Sequence, residues 1–263
     1  MQSRSLALFS AVLLAPTLVS AQTWVQIGPA GSPSATAGAG STKPAGRYTI
    51  SVRELSVPEK ARKLFDKGSR LLDSGNAAAS VPEFQRAIAE YRFFAEAYYE
   101  LGRAQLTLGL GQDATEAFSK AIETSDGRFA LPYFALSMVL CQQNNFAEGD
   151  TVAKTGLSLE PSSLLGQFSF SWAELGLGRT AIAEKSLREV LQRKPDFREA
   201  RLLLLEIHRR TSNLPDLLED IEAYLKLDST SAISARLRTL RENAAHFLAR
   251  AENKPPLEAN AQP

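Results

Sequence analysis

The residues whose types could support chemistry are few and lie far apart in this 263-residue chain. Its two histidines are His208 and His246, and neither belongs to an HExxH motif or to a cluster of histidines and cysteines that could hold zinc. His208 is therefore expected to be a hydrogen-bonded packing residue rather than a catalytic base. No acid pair and no nucleophile-base set is evident, so we predict no catalytic residue, no metal site and no cofactor.

Cys141 is the single cysteine, and two interpretations of it remain open. In an oxidising compartment its thiol could form an intermolecular disulfide, whereas the favoured interpretation is a small, buried, apolar residue. The glycine-containing string LGLGQDAT at 108–115 lacks the Lys-Ser/Thr pair of a phosphate-binding loop. It is interpreted as the turn between two helices.

The elements that must position these residues are pairs of helices that recur about every 34 residues between positions 61 and 229. Glycine, alanine and aromatic residues fall at constant offsets in these units, and one extra residue falls within 125–128. The clearest unit starts at Ala95, with Tyr98, Leu101, Gly102, Gly109, Ala114, Phe118 and Ala121 at the expected offsets. This pattern resembles the tetratricopeptide repeat family over roughly two thirds of the chain.

The resemblance implies an all-α fold, a right-handed superhelical α-solenoid of five helix-turn-helix units with a C-terminal capping helix. The array is predicted at 58–252, with units at about 61–94, 95–129, 130–163, 164–197 and 198–229 and the capping helix at 230–252. An alternative role for the last segment is a coiled-coil seam, but its apolar stripe is short for one. Small residues are expected where paired helices cross, namely Gly68, Gly102, Ala114 and Ala183.

The two ends of the chain have a different composition. Residues 1–21 combine a basic start, a short apolar core and small residues before Gln22, which predicts a cleaved signal peptide, with an uncleaved anchor as the alternative. No cysteine follows that site, so a lipid anchor is unsupported and a periplasmic or secreted protein is predicted. Residues 22–57 are predicted to be a flexible linker with a candidate short strand at 48–55, and residues 253–263 a disordered tail.

The charge balance argues against two classes of partner. Lys and Arg number 30 and Asp and Glu number 29, which gives a formal net charge of +1. Affinity for nucleic acids and for anionic membranes comes largely from positive charge, so a nearly neutral chain favours neither. We therefore predict no nucleic-acid partner and no stable membrane insertion.

The resemblance also implies where a partner would bind. In tetratricopeptide proteins the first helix of each unit lines a concave groove, and the corresponding positions here are Phe65, Tyr99, Arg103, Phe134, Met138, Phe168, Trp172, Leu202 and Glu206. Aromatic residues at these offsets are more typical of packing than of contact, which leaves Trp172 and Met138 as the best candidates for an exposed, adaptable apolar site. The Lys and Asn residues of family members that clamp chaperone carboxylates are replaced by other types.

The sequence as a whole predicts a non-catalytic protein–protein interaction scaffold of the cell envelope. Its groove would bind an apolar segment of a protein or peptide partner whose identity the sequence does not give. The alternative function is an accessory subunit that docks a periplasmic hydrolase or a sugar polymer. Self-association through the capping helix is a further alternative without a supporting feature.

Overall fold

A computed structural model describes residues 57–252, which form eleven α-helices and no strand. The helices are α1 (Glu59–Asp73), α2 (Ala77–Glu90), α3 (Ala95–Thr107), α4 (Gly111–Thr124), α5 (Ala130–Gln142), α6 (Phe146–Leu159), α7 (Leu164–Gly176), α8 (Thr180–Arg193), α9 (Arg198–Arg210), α10 (Leu214–Leu227) and α11 (Ala232–Glu252). The predicted all-α class is confirmed. The predicted signal peptide, the candidate strand at 48–55, the disordered tail and all but the last residue of the predicted linker lie outside the described residues.

The turn inside each helical hairpin contains one residue with a left-handed backbone. These residues are Gly75 (φ 82°), Gly109 (φ 77°), Asn144 (φ 61°), Gly178 (φ 77°) and Ser212 (φ 56°). They are spaced by 34, 35, 34 and 34 positions, so the backbone itself repeats with the predicted period and one extra residue. That extra residue falls where Asp126 and Gly127 also have positive φ, in the predicted loop. An added Cβ at Gly75 would meet nothing within 4 Å, so the backbone angle, not space, favours glycine there.

Side-chain caps define several helix starts. Asn76 accepts a hydrogen bond from the Ala79 amide at 3.2 Å before α2, and Ser163 accepts one from the Gly166 amide at 3.3 Å before α7. Such caps satisfy amide groups that have no partner within the helix.

The described helices fall into two compact units, each larger than one repeat, with the boundary between Arg179 and Thr180. From here on, the first unit means the helices before this boundary and the second unit the helices after it. In the first unit α1 to α7 pack as consecutive neighbours, so that α1 contacts α2, α2 contacts α3, and so on. In the second unit α8 contacts α9, α9 contacts α10 and α10 contacts α11. Within residues 57–252, no helix has both the length and the apolar character that crossing a bilayer requires.

Close approach of paired helices depends on glycines beneath aromatic rings. A Cβ at Gly68 would lie 2.8 Å from Phe84 Cε1, and a Cβ at Gly102 would lie 2.6 Å from Phe118 Cε1. Both distances are shorter than real contacts allow, so only glycine fits without movement of the ring. The expected small-residue crossings at Gly68 and Gly102 are therefore present, and Ala114 and Ala183 are likewise completely buried.

The second unit has its own apolar core, which α11 completes. Leu237 and Leu240 of α11 are buried in one cluster with Leu217, Ile221 and Tyr224 of α10. Burying these side chains stabilises the unit by roughly 1.5–3 kcal/mol for each large aliphatic residue. Helix α11 thus covers an apolar face of α10 that would otherwise meet water, which is the role of a capping helix.

Candidate peptide-binding face

Three of the predicted groove residues do not reach solvent. Phe134, Met138 and Phe168 are completely buried. The expectation that Met138 is exposed is therefore wrong, and none of the three side chains can touch a partner without a rearrangement of the first unit. The reason lies in α5, ALPYFALSMVLCQ, which is apolar on every side and buries nine of its residues.

Phe134 has a specific structural task. A Cβ at Gly156 would lie 2.5 Å from Phe134 Cε1, and a Cβ at Gly166 would lie 2.6 Å from the same atom. The ring of Phe134 therefore fits between two backbones, those of α6 and α7, at points where neither carries a side chain. Phe134 is a packing residue that joins three helices.

Tyr99 and Arg103 of α3 are also buried, and the Arg103 guanidinium is paired within the helix. Arg103 Nη1 donates to both oxygens of Glu100, at 2.9 and 2.7 Å, and the Arg103 guanidinium lies 5.9 Å from the centre of the Tyr99 ring. Burial raises the pKa of Glu100, and the charge of Arg103 opposes that rise. Tyr99 packs edge-on against Phe129 with ring centres 5.4 Å apart. Neither predicted contact residue is free to bind a partner.

The two predicted residues in the second unit are buried as well. Leu202 belongs to the core cluster of α9, α10 and α11. Glu206 accepts hydrogen bonds from Arg209 Nε at 2.8 Å and from Arg210 Nε at 2.6 Å. Burial alone would raise the pKa of Glu206, but the hydrogen bonds and charges of Arg209 and Arg210 outweigh it and lower the pKa.

Two predicted residues keep part of their surface exposed. Phe65 packs against Phe84 and Phe94, with ring centres 5.9 and 5.0 Å away, and is half-buried. Trp172 lies beside the buried Phe168, with ring centres 6.2 Å apart, and is also half-buried. Of Trp172 and Met138, the two residues that the sequence favours as contacts, only Trp172 is accessible. Its role in binding stays a prediction.

The surroundings of Cys141 favour one of the two interpretations of this residue. Its side chain is buried, and the Sγ atom would lie only 3.0 Å from a Cβ placed on Gly149. Burial raises the pKa of the Cys141 thiol to about 12. A buried, protonated thiol is a poor nucleophile, so the structure favours a packing role over an intermolecular disulfide.

Sequence reasoning missed two networks of charged side chains, each built around one buried residue, Glu174 in the first and His208 in the second. In the first unit, Lys154 lies 2.7 Å from Asp150 and 3.7 Å from Glu174, and Arg179 lies 2.9 Å from Glu174. In the second unit, residues one period later carry a related network, since Glu184, Arg188 and His208 follow Asp150, Lys154 and Glu174 by 34 positions. The sequence feature that could have revealed both networks is an acidic residue followed four positions later by a basic one, Asp150 and Lys154 in one repeat and Glu184 and Arg188 in the next.

His208 occupies the centre of the second network. It is 1% exposed, and its Nδ1 lies 2.9 Å from Asp220 Oδ2 of α10. Burial lowers the pKa of His208, but Asp220 and Glu184 outweigh burial and raise it. The prediction of no metal site used only local sequence motifs, whereas these groups come from three different helices.

Comparison with known proteins identifies the repeat. The tetratricopeptide repeat family model matches residues 65–128 and 168–232. A search of the curated proteins gives no match.

Solved structures share the fold. TTC0263, a thermophilic TPR protein of Thermus thermophilus, is 23% identical with a TM-score of 0.57, and the match covers 71% of this chain and 99% of that one. PilW, a widely conserved type IV pilus biogenesis factor, is 15% identical with a TM-score of 0.61 over 76% of this chain and 96% of its own. The APC/C hetero-tetramer Cut9-Hcn1 is 16% identical with a TM-score of 0.65 over 76% of this chain and 42% of its own.

Proposed function

The chain belongs to the tetratricopeptide repeat proteins, and from this premise we propose that it is a non-catalytic scaffold of the cell envelope that holds an apolar segment of a partner protein. Repeat arrays of this kind serve protein–protein interaction because stacked hairpins present a long row of first helices to one partner. The partner segment would lie along the first helices of the first unit, where Phe65 of α1 and Trp172 of α7 keep part of their surface exposed.

The observation that carries this proposal is the placement of Trp172. Its ring is half-buried on α7, above the completely buried Phe168, so that it is held in place and still reaches solvent. Tryptophan in such a setting is the residue type most enriched among the residues that dominate binding energies. A fixed aromatic surface with an apolar floor suits an apolar side chain of a partner.

The cell envelope enters the proposal through the first 21 residues. Their basic start, short apolar core and small residues before Gln22 support export and cleavage. Amino-terminal sequencing of the protein from fractionated cells tests this directly. We expect a mature chain that begins at Gln22 in the periplasmic or extracellular fraction, and an intact Met1 in the cytoplasm would contradict the envelope assignment.

The binding site is tested by photo-crosslinking in living cells. A photoreactive phenylalanine analogue replaces Trp172 in one strain and Leu110 in another, because Leu110 is a 45% exposed apolar residue in a turn of the same unit. We expect a discrete crosslinked partner at position 172 and none at position 110. Equal crosslinking at both positions would indicate non-specific contact and would contradict the proposed face.

A quantitative test follows once the crosslinked partner is identified. Replacement of Trp172 by Ala is expected to weaken binding by at least tenfold, because a hot-spot aromatic contributes about 2 kcal/mol or more. Leu110→Ala is the matched control, and both variants are checked for unchanged thermal unfolding. The same affinity for Trp172→Ala and wild type would refute the assignment of Trp172.

A further inference from the structure

A buried imidazole faces two carboxylates in the second unit. His208 Nε2 of α9 lies 3.6 Å from Glu184 Oε1 of α8 and 3.7 Å from Asp216 Oδ2 of α10. The three atoms lie within 4.8 Å of one another, and the His208 side chain is only 2% exposed. We propose that Glu184, His208 and Asp216 form a binding site for a divalent transition-metal ion of the zinc type.

The other nitrogen of the ring determines how Nε2 is presented. Asp220 Oδ2 lies 2.9 Å from His208 Nδ1, and Arg201 Nη1 donates to the second oxygen of Asp220 at 3.0 Å. With a proton on Nδ1, the neutral ring keeps a lone pair on Nε2, the nitrogen nearer to Glu184 and Asp216. Metal-binding histidines almost always have such a carboxylate or carbonyl partner on the ring nitrogen that does not bind the metal.

Three electron-rich atoms this close together are stabilised by a positive charge between them, which the Arg188 guanidinium supplies in this structure. Neither carboxylate oxygen lies within the 2.7–3.2 Å range of a normal hydrogen bond to Nε2, so a shared proton does not account for the spacing. A tetrahedral zinc ion holds nitrogen and oxygen ligands at about 2.0–2.2 Å, which places neighbouring ligand atoms about 3.3–3.6 Å apart. The two distances from Nε2, 3.6 and 3.7 Å, agree with that geometry to within a few tenths of an ångström, and the two carboxylate oxygens lie within 4.8 Å of each other.

Arg188 shows where the cation would lie. Its Nη2 is 2.8 Å from Glu184 Oε1, 3.1 Å from Asp216 Oδ2 and 3.5 Å from His208 Nε2. A single cationic nitrogen thus contacts all three ligand atoms, in the position that a metal ion would take. The Arg188 side chain is 50% exposed, so it can turn into solvent and give up this position without disturbing the core.

The ligand types select the class of ion. One imidazole nitrogen and two carboxylate oxygens suit zinc, cobalt or nickel better than magnesium or calcium, which prefer oxygen alone. Asp216 and Glu184 are 39% and 31% exposed, so an ion can enter from solvent. Because the ligands come from α8, α9 and α10, a bound ion would join three helices of the second unit.

The experiment uses untagged mature protein that has been treated with a chelator and dialysed. Zinc binding is measured by isothermal titration calorimetry and by the zinc-dependent rise in the thermal unfolding temperature, and cobalt is used as a spectroscopic probe. We expect one ion per chain in the wild type, and binding at least tenfold tighter in Arg188→Ala because the competing guanidinium is gone. Bound cobalt should show the intense visible absorption of a tetrahedral site.

Two further variants locate the ion. Asp216→Asn, at a partly exposed ligand, should weaken binding at least tenfold while circular dichroism shows an unchanged fold. His246→Ala removes the other histidine, which is exposed on α11, and should leave binding unchanged.

The negative outcomes are equally defined. A folded Arg188→Ala protein without saturable zinc binding would overturn the proposal. Binding that Asp216→Asn leaves unchanged would place the ion elsewhere and would also overturn it. Binding by the Arg188 variant alone would show that the guanidinium is the permanent cation of the natural protein, and the proposal would fail for that protein.

Discussion

The contact between Gly102 and Phe118 allows a quantitative test of how the paired helices pack. A Cβ at Gly102 would lie 2.6 Å from Phe118 Cε1 and 2.8 Å from Cδ1, and all three of its nearest atoms belong to that ring. Overpacking of this kind costs about 1–3 kcal/mol. Alanine also favours a helix over glycine by roughly 1 kcal/mol, which offsets part of the cost. Gly102→Ala should therefore lower the free energy of unfolding by about 1 kcal/mol, within a range of about 0–2.

The same change should behave differently when the ring is absent. Phe118→Leu removes the Cε1 and Cζ atoms, so Gly102→Ala in that background should be neutral or stabilising by up to about 1 kcal/mol. The resulting coupling energy between the two positions is about 1–2 kcal/mol. It is measured by urea unfolding of the wild type, both single variants and the double variant, followed by circular dichroism.

Gly111 provides the matched control. It is a helical glycine at the start of α4, and an added Cβ there would meet nothing within 4 Å. Gly111→Ala should change stability by less than about 0.5 kcal/mol, with or without the Phe118→Leu change. A coupling energy below about 0.5 kcal/mol between Gly102 and Phe118 would refute the argument that glycine is required there by the ring.

Three further predictions concern other parts of the chain. Ser212 has φ 56° where three of the other four hairpin turns carry glycine, so Ser212→Gly should stabilise the protein by about 0.5–1 kcal/mol in urea unfolding, and a loss of stability would contradict this. With its thiol pKa at about 12, Cys141 should react with iodoacetamide at pH 8 more than about a thousandfold slower in the native than in the unfolded protein, as followed by mass spectrometry. Because the folded-state pKa of Glu206 is lowered, its ionised carboxylate stabilises the fold above about pH 4.3, and this contribution is lost as the pH falls further. The Glu206→Gln variant lacks this contribution, so it should lose less stability than wild type between about pH 6 and pH 3.

The period of the chain could be predicted from sequence because it depends on local requirements. Each hairpin turn contains a residue with a left-handed backbone, as Gly75, Gly109 and Gly178 show, and the first two hairpins also need a glycine beneath an aromatic ring. These features act within a few tens of residues, so residue types at fixed offsets are enough to recognise them. The fold class follows from the same pattern.

The accessible surface could not be predicted in the same way. The family offsets treat every first helix alike, but α5 is apolar on all sides and is covered by its neighbours, so Met138 is buried although Trp172 at the same offset is not. The network around His208 was missed for a related reason. Its members come from α8, α9 and α10, and only the packing of three helices brings them together.

The ring of Phe134 restricts which hairpin can follow the third one in the array. Phe84 and Phe118 each pack against a glycine of the same hairpin. Each of those hairpins therefore contains both the ring and the glycine, and it could be duplicated as one block. Phe134 also requires Gly166, which belongs to the hairpin that follows. The third residue of the other hairpins is Lys63, Ala97, Pro132 or Ala200, and each would place a side chain against that ring. Gene duplication or repeat engineering that sets another hairpin after the third would therefore create a clash at the ring of Phe134.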